Sequence, residues 1–552
     1  MLNRKLFLAA LPLALLTACE LNHHNDPDAG LNAFKADDIK GYIKVLASDS
    51  FMGRKPFTEG ETRTVDYLQS QFKAIGLEPG NNGAYTQDVP MIDVWSKPAA
   101  TMAIQSPKGN FDLKGFDEYV FSTPKTDSVI TLDKSQLVFA GYGVVAPEYN
   151  WNDYAGLDVK GKIVMVLVND PGFNNNDTTL FKGKTMTYYG RWTYKFEEAA
   201  RQGAKGCLVI HTTAAASYPF SVLQNGWNTS ALRLDNGNDA SLLDAEGWIT
   251  MAACKKVLLA AGQDTGIIAK ADIKGFKGVA LNAWASTSIH TKVTRNKSHN
   301  VIGKITGSKY PDEYLVVTAH WDHLGVGKPD ATGDSIYNGA IDNASGTASL
   351  LEFAKVFKGL QTPPERTVVF LAVTGEEQGL LGSSYYASHP VYPLAKAVAN
   401  LNVDEINWYG KTKDIIVVGK GQNDLEDMLK DAAEGRGRYI AYDNSPQAGH
   451  YYRSDHFSLA KVGVPALAQG FGIDVIGKPA GYGQAQQDEF DDKRYHNVQD
   501  NYNPNWDLSG AIDDLQLLFI VAKKLTYEHT WPQWKEGSEF KAERDKTAKE
   551  RQ

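Results

Sequence analysis

The sequence predicts an α/β protein: a three-layer αβα sandwich on a mostly parallel mixed sheet, interrupted by a smaller β-rich α/β unit. Three observations predict it. After about residue 290, short runs of strand length alternate with amphipathic helical stretches. Those runs are apolar throughout rather than at every second position, which is the pattern of strands covered on both faces. A separate region with its own apolar runs and glycine punctuation begins near residue 131. At 552 residues the chain exceeds one ordinary core, so two or more globular units are expected.

The elements follow in chain order. Asn3-Arg4-Lys5 is basic, Leu6 to Leu16 is apolar, and Leu16-Thr17-Ala18-Cys19 follows, so residues 1–18 read as a signal peptide, too short to span a bilayer permanently. The Leu-Thr-Ala-Cys ending resembles a bacterial lipobox. That resemblance implies a lipidated Cys19 as the chain's membrane contact, and Glu20 after it implies the outer membrane; ordinary secretion is the alternative. Residues 19–33 are polar and turn-rich and read as a tether, with His23 and His24 solvated rather than metal-bound.

Residues 34–130 read as the first part of the main domain. Helical spacing appears at Ile39, Tyr42, Ile43 and Leu46, then at Val65, Leu68, Phe72 and Ile75, and Gly76 stops the second helix. Between them, Asp49 to Arg54 is a loop whose glycine and arginine are either structural or face a cleft. Residues 131–290 read as the inserted unit, with strands at Gln136 to Ala140, Ile163 to Val168 and Cys207 to Ile210, and a helix from Lys195 to Gln202. Cys207 and Cys254 fall here, either paired or as buried thiols. Residues 291–530 carry strands at Tyr314 to Ala319, Thr367 to Val373, Ala397 to Val403 and Ile415 to Val418. Helices at Ala344 to Phe357, Leu380 to Ser388 and Leu425 to Glu434 fall between them, and 405–412 and 470–490 read as loops. Residues 531–552 read as a charged, solvated tail.

Composition narrows the function. With 43% hydrophobic and 22% charged residues the chain is globular rather than disordered. A net charge of −8 without a long Lys/Arg run argues against a nucleic-acid partner. No Gly-x-Ser-x-Gly elbow, His-Glu-x-x-His helix or phosphate-binding Gly-x-x-x-x-Gly-Lys-Ser/Thr loop is present.

The strand ends carry the chemistry. His320-Trp321-Asp322-His323 follows the first strand of the catalytic part, Gly375-Glu376-Glu377 the second, and Asn402-Val403-Asp404 closes the third. Parallel sheets bind ligands at the carboxyl ends of their strands, so these groups should meet. Gly339 to Gly346 adds an acidic glycine-rich loop with Asp342, and Tyr495-His496 comes later. Two adjacent zinc ions need about five protein ligands when one carboxylate bridges them. His320, Asp342, Glu377, Asp404 and His496 supply that number, with Asp342 as the bridge. Glu376 beside Glu377 then acts as general base, because two adjacent carboxylates need separate roles. Asp322 fits a group that orients the His320 ring, and Asp500 could do the same for His496; His323 and His456 read as outer neighbours of the ligands.

These motifs resemble the di-zinc aminopeptidase family that includes bacterial leucyl aminopeptidases, glutamate carboxypeptidases and the transferrin receptor. The resemblance rests on His-x-Asp at 320–322, Asp-Asn-x-Ser-Gly at 342–346, Gly-Glu-Glu at 375–377, Asn-x-Asp at 402–404 and Tyr-His at 495–496, and it runs from about 36 to 526. It implies a zinc-dependent exopeptidase fold with two Zn2+ per chain, one on His320, Asp342 and Asp404 and the other on Asp342, Glu377 and His496. It implies removal of N-terminal residues from peptide substrates, with carboxypeptidase, dipeptidase or deacylase action as alternatives and a non-catalytic receptor as a further one. Tyr451, in Tyr451-Tyr452-Arg453-Ser454-Asp455-His456, matches the family segment that gives a tyrosine hydroxyl to the tetrahedral intermediate. Gly141-Tyr142-Gly143, Asp158 to Val164 and Ala199 to Gly206 resemble the protease-associated domain spliced into exported peptidases. No motif speaks to oligomeric state.

Overall fold

A computed structural model describes residues 28–237 and 239–551. The signal segment, Cys19, His23 and His24 lie outside the described residues. Among the described residues no helix is long and apolar enough to cross a membrane.

The apolar runs of the catalytic part form the strands Tyr310–His320, Arg366–Val373, Ala397–Asn402 and Asp414–Val418. The Tyr310–His320 strand lies between Arg366–Val373 and Ala397–Asn402 and runs parallel to both. Ala466–Phe471 extends the parallel side, while Asp414–Val418 and Val279–Ile305 pair antiparallel at its two flanks. The sheet is therefore mixed with a parallel centre, and every residue of the 366–373 and 397–402 strands is buried. Alternate side chains point to opposite faces, so each face has its own core. Leu315, Val317, Phe370 and Leu401 pack with the helices Ala36–Leu46, Gly346–Lys358 and Ser509–Tyr527. Val316, Val369 and Leu371 pack on the other face with Tyr386, Leu459 and Val464. These are the three layers of the sandwich.

A second core gathers Leu137, Phe139, Ile163, Met165, Leu208, Ile210 and Ile249 around the parallel strands Val129–Phe139, Ile163–Leu167, Gly206–His211 and Ala245–Thr250. It begins earlier in the chain than the composition change at 131. Met102, Leu113, Tyr119 and Phe121 belong to it, and Tyr119–Ser122 pairs antiparallel with Ala245–Thr250. Strands of four or five residues such as Thr101–Gln105 and Phe111–Lys114 carry at most two inward side chains, too few to show a period. The 27-residue strand Val279–Ile305 joins both cores. It pairs with Val129–Phe139 at its start, with Thr86–Pro98 along its second half and with Arg366–Val373 at its end. Cys207 and Cys254 are buried and unpaired, and burial pushes the Cys254 thiol up to about 12.

The C-terminal segment departs from the expectation of a solvated tail. Trp534, Phe540 and Arg544 are all nearly fully buried. Trp534 Nε1 donates to the Gly463 carbonyl at 2.8 Å and Arg544 Nη2 to the Ala397 carbonyl at 2.9 Å. Trp534 and Phe540 share a cluster with Met186 of the inserted unit and with Tyr451, Tyr452 and Phe457. Two aromatic anchors spaced along charged residues make no hydrophobic period, so the sequence pattern hides the docking. Trp534→Ala is expected to cost about 3–5 kcal/mol in urea unfolding, the usual range for a buried aromatic. A change below about 1 kcal/mol, the scale of surface substitutions, would show that the tail does not dock in solution.

Candidate metal centre

The parallel register sets the site. His320 pairs with Val373, and Thr318 pairs with Asn402, so the three strands end flush and deliver His320, Glu376-Glu377 and Asp404 to one edge. Asp342 comes from the loop before the helix Gly346–Lys358, and His496 follows the helix Tyr482–Lys493.

Asp342 stands at the centre. Its Oδ1 is 3.3 Å from His320 Nε2, and its Oδ2 is 3.2 Å from His496 Nε2. His320 Nε2 is also 3.1 Å from Asp404 Oδ1, and His496 Nε2 is 3.0 Å from Glu377 Oε2. Glu377 Oε1 in turn is 2.6 Å from His323 Nδ1. Among the described residues two groups have donor atoms all within 4.8 Å of one another: His320, Asp342 and Asp404, and His323, Asp342 and Glu377. The sequence suggests His323 as an outer neighbour of the ligands; the structure brings both His323 and His496 to Glu377. The His320 side chain is 1% exposed, whereas Asp404 is 25% and His496 38% exposed, so the site opens on the Asp404 and His496 side.

The adjacent acids are set apart electrostatically. Burial pushes the Glu376 carboxyl well above the usual range, against the pull of the His320 imidazole and with the aid of Asp404 and Glu377. Burial and Asp342 also push Glu377 up, but His323 and His496 outweigh them and hold it below. For Asp342, burial is outweighed by His320 and His496, which hold its carboxyl well below its ordinary value.

Several residues support the site through contacts that the sequence does not show. Asp500 does not reach His496; its carboxylate accepts the backbone N–H of Ile341 and of Asp342 at 3.0 Å and cradles the Asp342 loop. Asn343 Nδ2 donates to the Val403 carbonyl, and its Oδ1 accepts from the Gly346 and Glu405 N–H groups, tying that loop to the Asp404 strand end. A side chain at Gly346 would stand 2.4 Å from the Val403 carbonyl, so this junction requires glycine. Ser454 Oγ donates to Asp404 Oδ2, and Asn402 Nδ2 donates to Ser454 Oγ at 2.8 Å. Asp322 Oδ1 lies 3.8 Å from His320 Nδ1, and its closer partner is the Glu376 N–H at 3.1 Å. Asp322 therefore fixes the backbone of Glu376 more directly than it fixes the His320 ring. Arg54 is fully buried behind the site and bonds to carbonyls of the His320 and Asp342 loops.

Tyr451 sits in the aromatic cluster of the tail, 4.6 Å from the His456 ring, with a buried hydroxyl that has no hydrogen-bond partner. His456 is likewise fully buried and both its ring nitrogens lack partners. Tyr495 stacks on the His496 ring at 3.9 Å.

The donor chemistry fits a metal. Carboxylate oxygens and imidazole nitrogens converge without a thiol or thioether, a set that suits zinc. Residues 300–520 match the model of Peptidase family M28. That M28 segment contains every residue of both donor groups. A glutamate carboxypeptidase 2 homolog of Caenorhabditis elegans is 23% identical over 511 residues, 81% of this chain and 60% of that protein. Aminopeptidase YwaD of Bacillus subtilis (strain 168) is 30% identical over 195 residues, 35% of this chain and 37% of YwaD. The chain thus spans less than two thirds of these curated relatives. A solved aminopeptidase from Aneurinibacillus sp. strain AM-1 aligns with a TM-score of 0.49 at 19% identity, over 90% of this chain and 95% of its own.

Proposed function

We propose that the chain is a two-zinc exopeptidase, an aminopeptidase by first preference, acting on peptides. The divided carboxylate of Asp342 carries the reading: one oxygen faces His320 and the other faces His496, as a bridge between two ions requires. His320, Asp342 and Asp404 would hold one zinc, and Asp342, Glu377 and His496 the other, with His323 fixing the second oxygen of Glu377. Zinc supplies polarisation of the scissile carbonyl and acidification of a water.

The chain's own groups do the rest. Glu376, held by Asp322 through its N–H, takes the proton of the attacking water and hands it to the leaving amine. The Asp404 carboxylate on the open side favours a substrate that brings a positive α-ammonium. The resemblance assigns the tetrahedral oxygen a donor in Tyr451, but the Tyr451 hydroxyl is buried in the aromatic cluster of the tail, so that role would need the segment to move. The inserted unit, read at 131–290 as protease-associated, meets the Tyr451 segment through Met186. Anchoring through a lipidated Cys19 would place the enzyme in the cell envelope.

The test is a panel of aminoacyl, dipeptide and acyl-amino-acid substrates with and without a chelator. Cleavage of free N-termini that stops on chelation and returns with zinc is expected. Turnover confined to N-blocked substrates would replace aminopeptidase by carboxypeptidase or deacylase, and turnover indifferent to chelation would remove the metal.

A further inference from the structure

Arg54 ends a turn, Asp49–Arg54, in which Met52, Gly53 and Arg54 take φ of 49°, 62° and 50°. Left-handed backbone at non-glycine residues is held only where the surroundings over-determine it. Here a Cβ at Gly53 would stand 2.4 Å from the Tyr337 carbonyl and 2.6 Å from that of Gly325, so the turn is wedged against the hairpin between the two ligand loops. The Arg54 side chain enters behind the site, fully buried. Nε donates to Trp321 O at 2.8 Å, Nη1 to Leu46 O at 2.8 Å and Asn338 O at 2.6 Å, and Nη2 to Gly339 O at 2.8 Å. Trp321 follows His320 directly, and Asn338 and Gly339 lead into the loop of Asp342. The four acceptors are all backbone carbonyls.

We propose that Arg54 is a positioning residue that sets the metal affinity of the centre, by pinning the His320 and Asp342 loops at the separation that lets Asp342 face both donor groups. The inference rests on the metal-centre reading above. Its physical content is preorganisation: two loops joined by a rigid fork lose little further freedom when an ion binds. Charge acts in the opposite direction. Asp500, Asp342, Asp322 and Glu377 surround the guanidinium, and a buried cation among them repels an incoming dication, so removing charge alone would tighten metal binding. The sign of the change therefore separates positioning from charge balance.

The experiment compares the full chain with Arg54→Lys and Arg54→Met. Zinc affinity is measured by competition with a chromophoric chelator, folding by circular dichroism, and kcat and KM at saturating zinc. Arg54→Met is expected to bind zinc about 10–100-fold more weakly, the range for partners that orient metal ligands. Arg54→Lys, which keeps the charge but not the fork, should fall between it and the wild type. Saturating zinc should restore much of kcat with KM near the wild-type value. Zinc binding as tight as wild type or tighter in folded Arg54→Met overturns the proposal. Should Arg54→Met fail to fold, Arg54→Lys decides, and wild-type affinity in that variant overturns it equally. A wild-type chain that binds no zinc would instead refute the metal centre itself.

Discussion

Glu376→Gln is expected to lower kcat by about 10²–10⁴-fold, the usual contribution of a positioned general base, with zinc content unchanged. That is roughly 3–5 kcal/mol of barrier. Glutamine preserves the shape of the side chain and the backbone bond from residue 376 to Asp322, so the loop has no reason to move. It removes only the ability to hold a proton. Glu376 belongs to neither donor group, whereas Glu377 belongs to one, so metal retention should separate the two neighbours although they are adjacent in sequence. The check is metal analysis of the desalted variant beside single-turnover kinetics. Parallel loss of zinc and activity would mean that Glu376 holds an ion, and the roles of the two glutamates would have to be exchanged.

The divide between what the sequence makes legible and what it hides follows the type of contact. His320, Glu377 and Asp404 can be read because buried parallel strands are continuous apolar runs, and a polar residue ending such a run lies at the sheet's carboxyl edge. Asp342 can be read because the Asp-Asn-x-Ser-Gly loop at 342–346 falls in one order with the strand-end motifs at 320–322, 375–377 and 402–404. The contacts of Arg54, Asp500 and Asn343 cannot, because they fall on backbone carbonyls and N–H groups whose places are fixed only once distant segments pack. Arg54 lies 284 residues from one of its acceptors, Asn338. The helix Tyr482–Lys493 falls largely within a stretch that reads as loop, since Gly483 and Phe490 are its buried residues and its polar side chains show no stripe. Docking of the tail escapes for the same reason: Trp534 and Phe540 are anchors without a period.

On the proposed two-zinc reading, Asp342→Asn should have the second large effect, and of a different kind: loss of both ions rather than loss of turnover with metal retained. The asparagine keeps the size of the side chain, and the loop stays held by the Ile341 and Asp342 N–H bonds to Asp500 and by the Asn343 bond to Val403. The fold should therefore persist, which far-ultraviolet circular dichroism would verify. The metals should not. The native carboxylate offers Oδ1 to the His320 group and Oδ2 to the His496 and Glu377 group, so one substitution weakens both at once. An amide has one oxygen acceptor and no charge, and cannot serve two cations. Asp404→Asn is the control, because Asp404 belongs only to the donor group of His320 and its loss should leave one ion per chain. The expected series on metal analysis is two, one and none for wild type, Asp404→Asn and Asp342→Asn. One firmly held zinc in Asp342→Asn would show that the carboxylate serves a single ion, and the centre would then be a pair of independent sites rather than a bridged one.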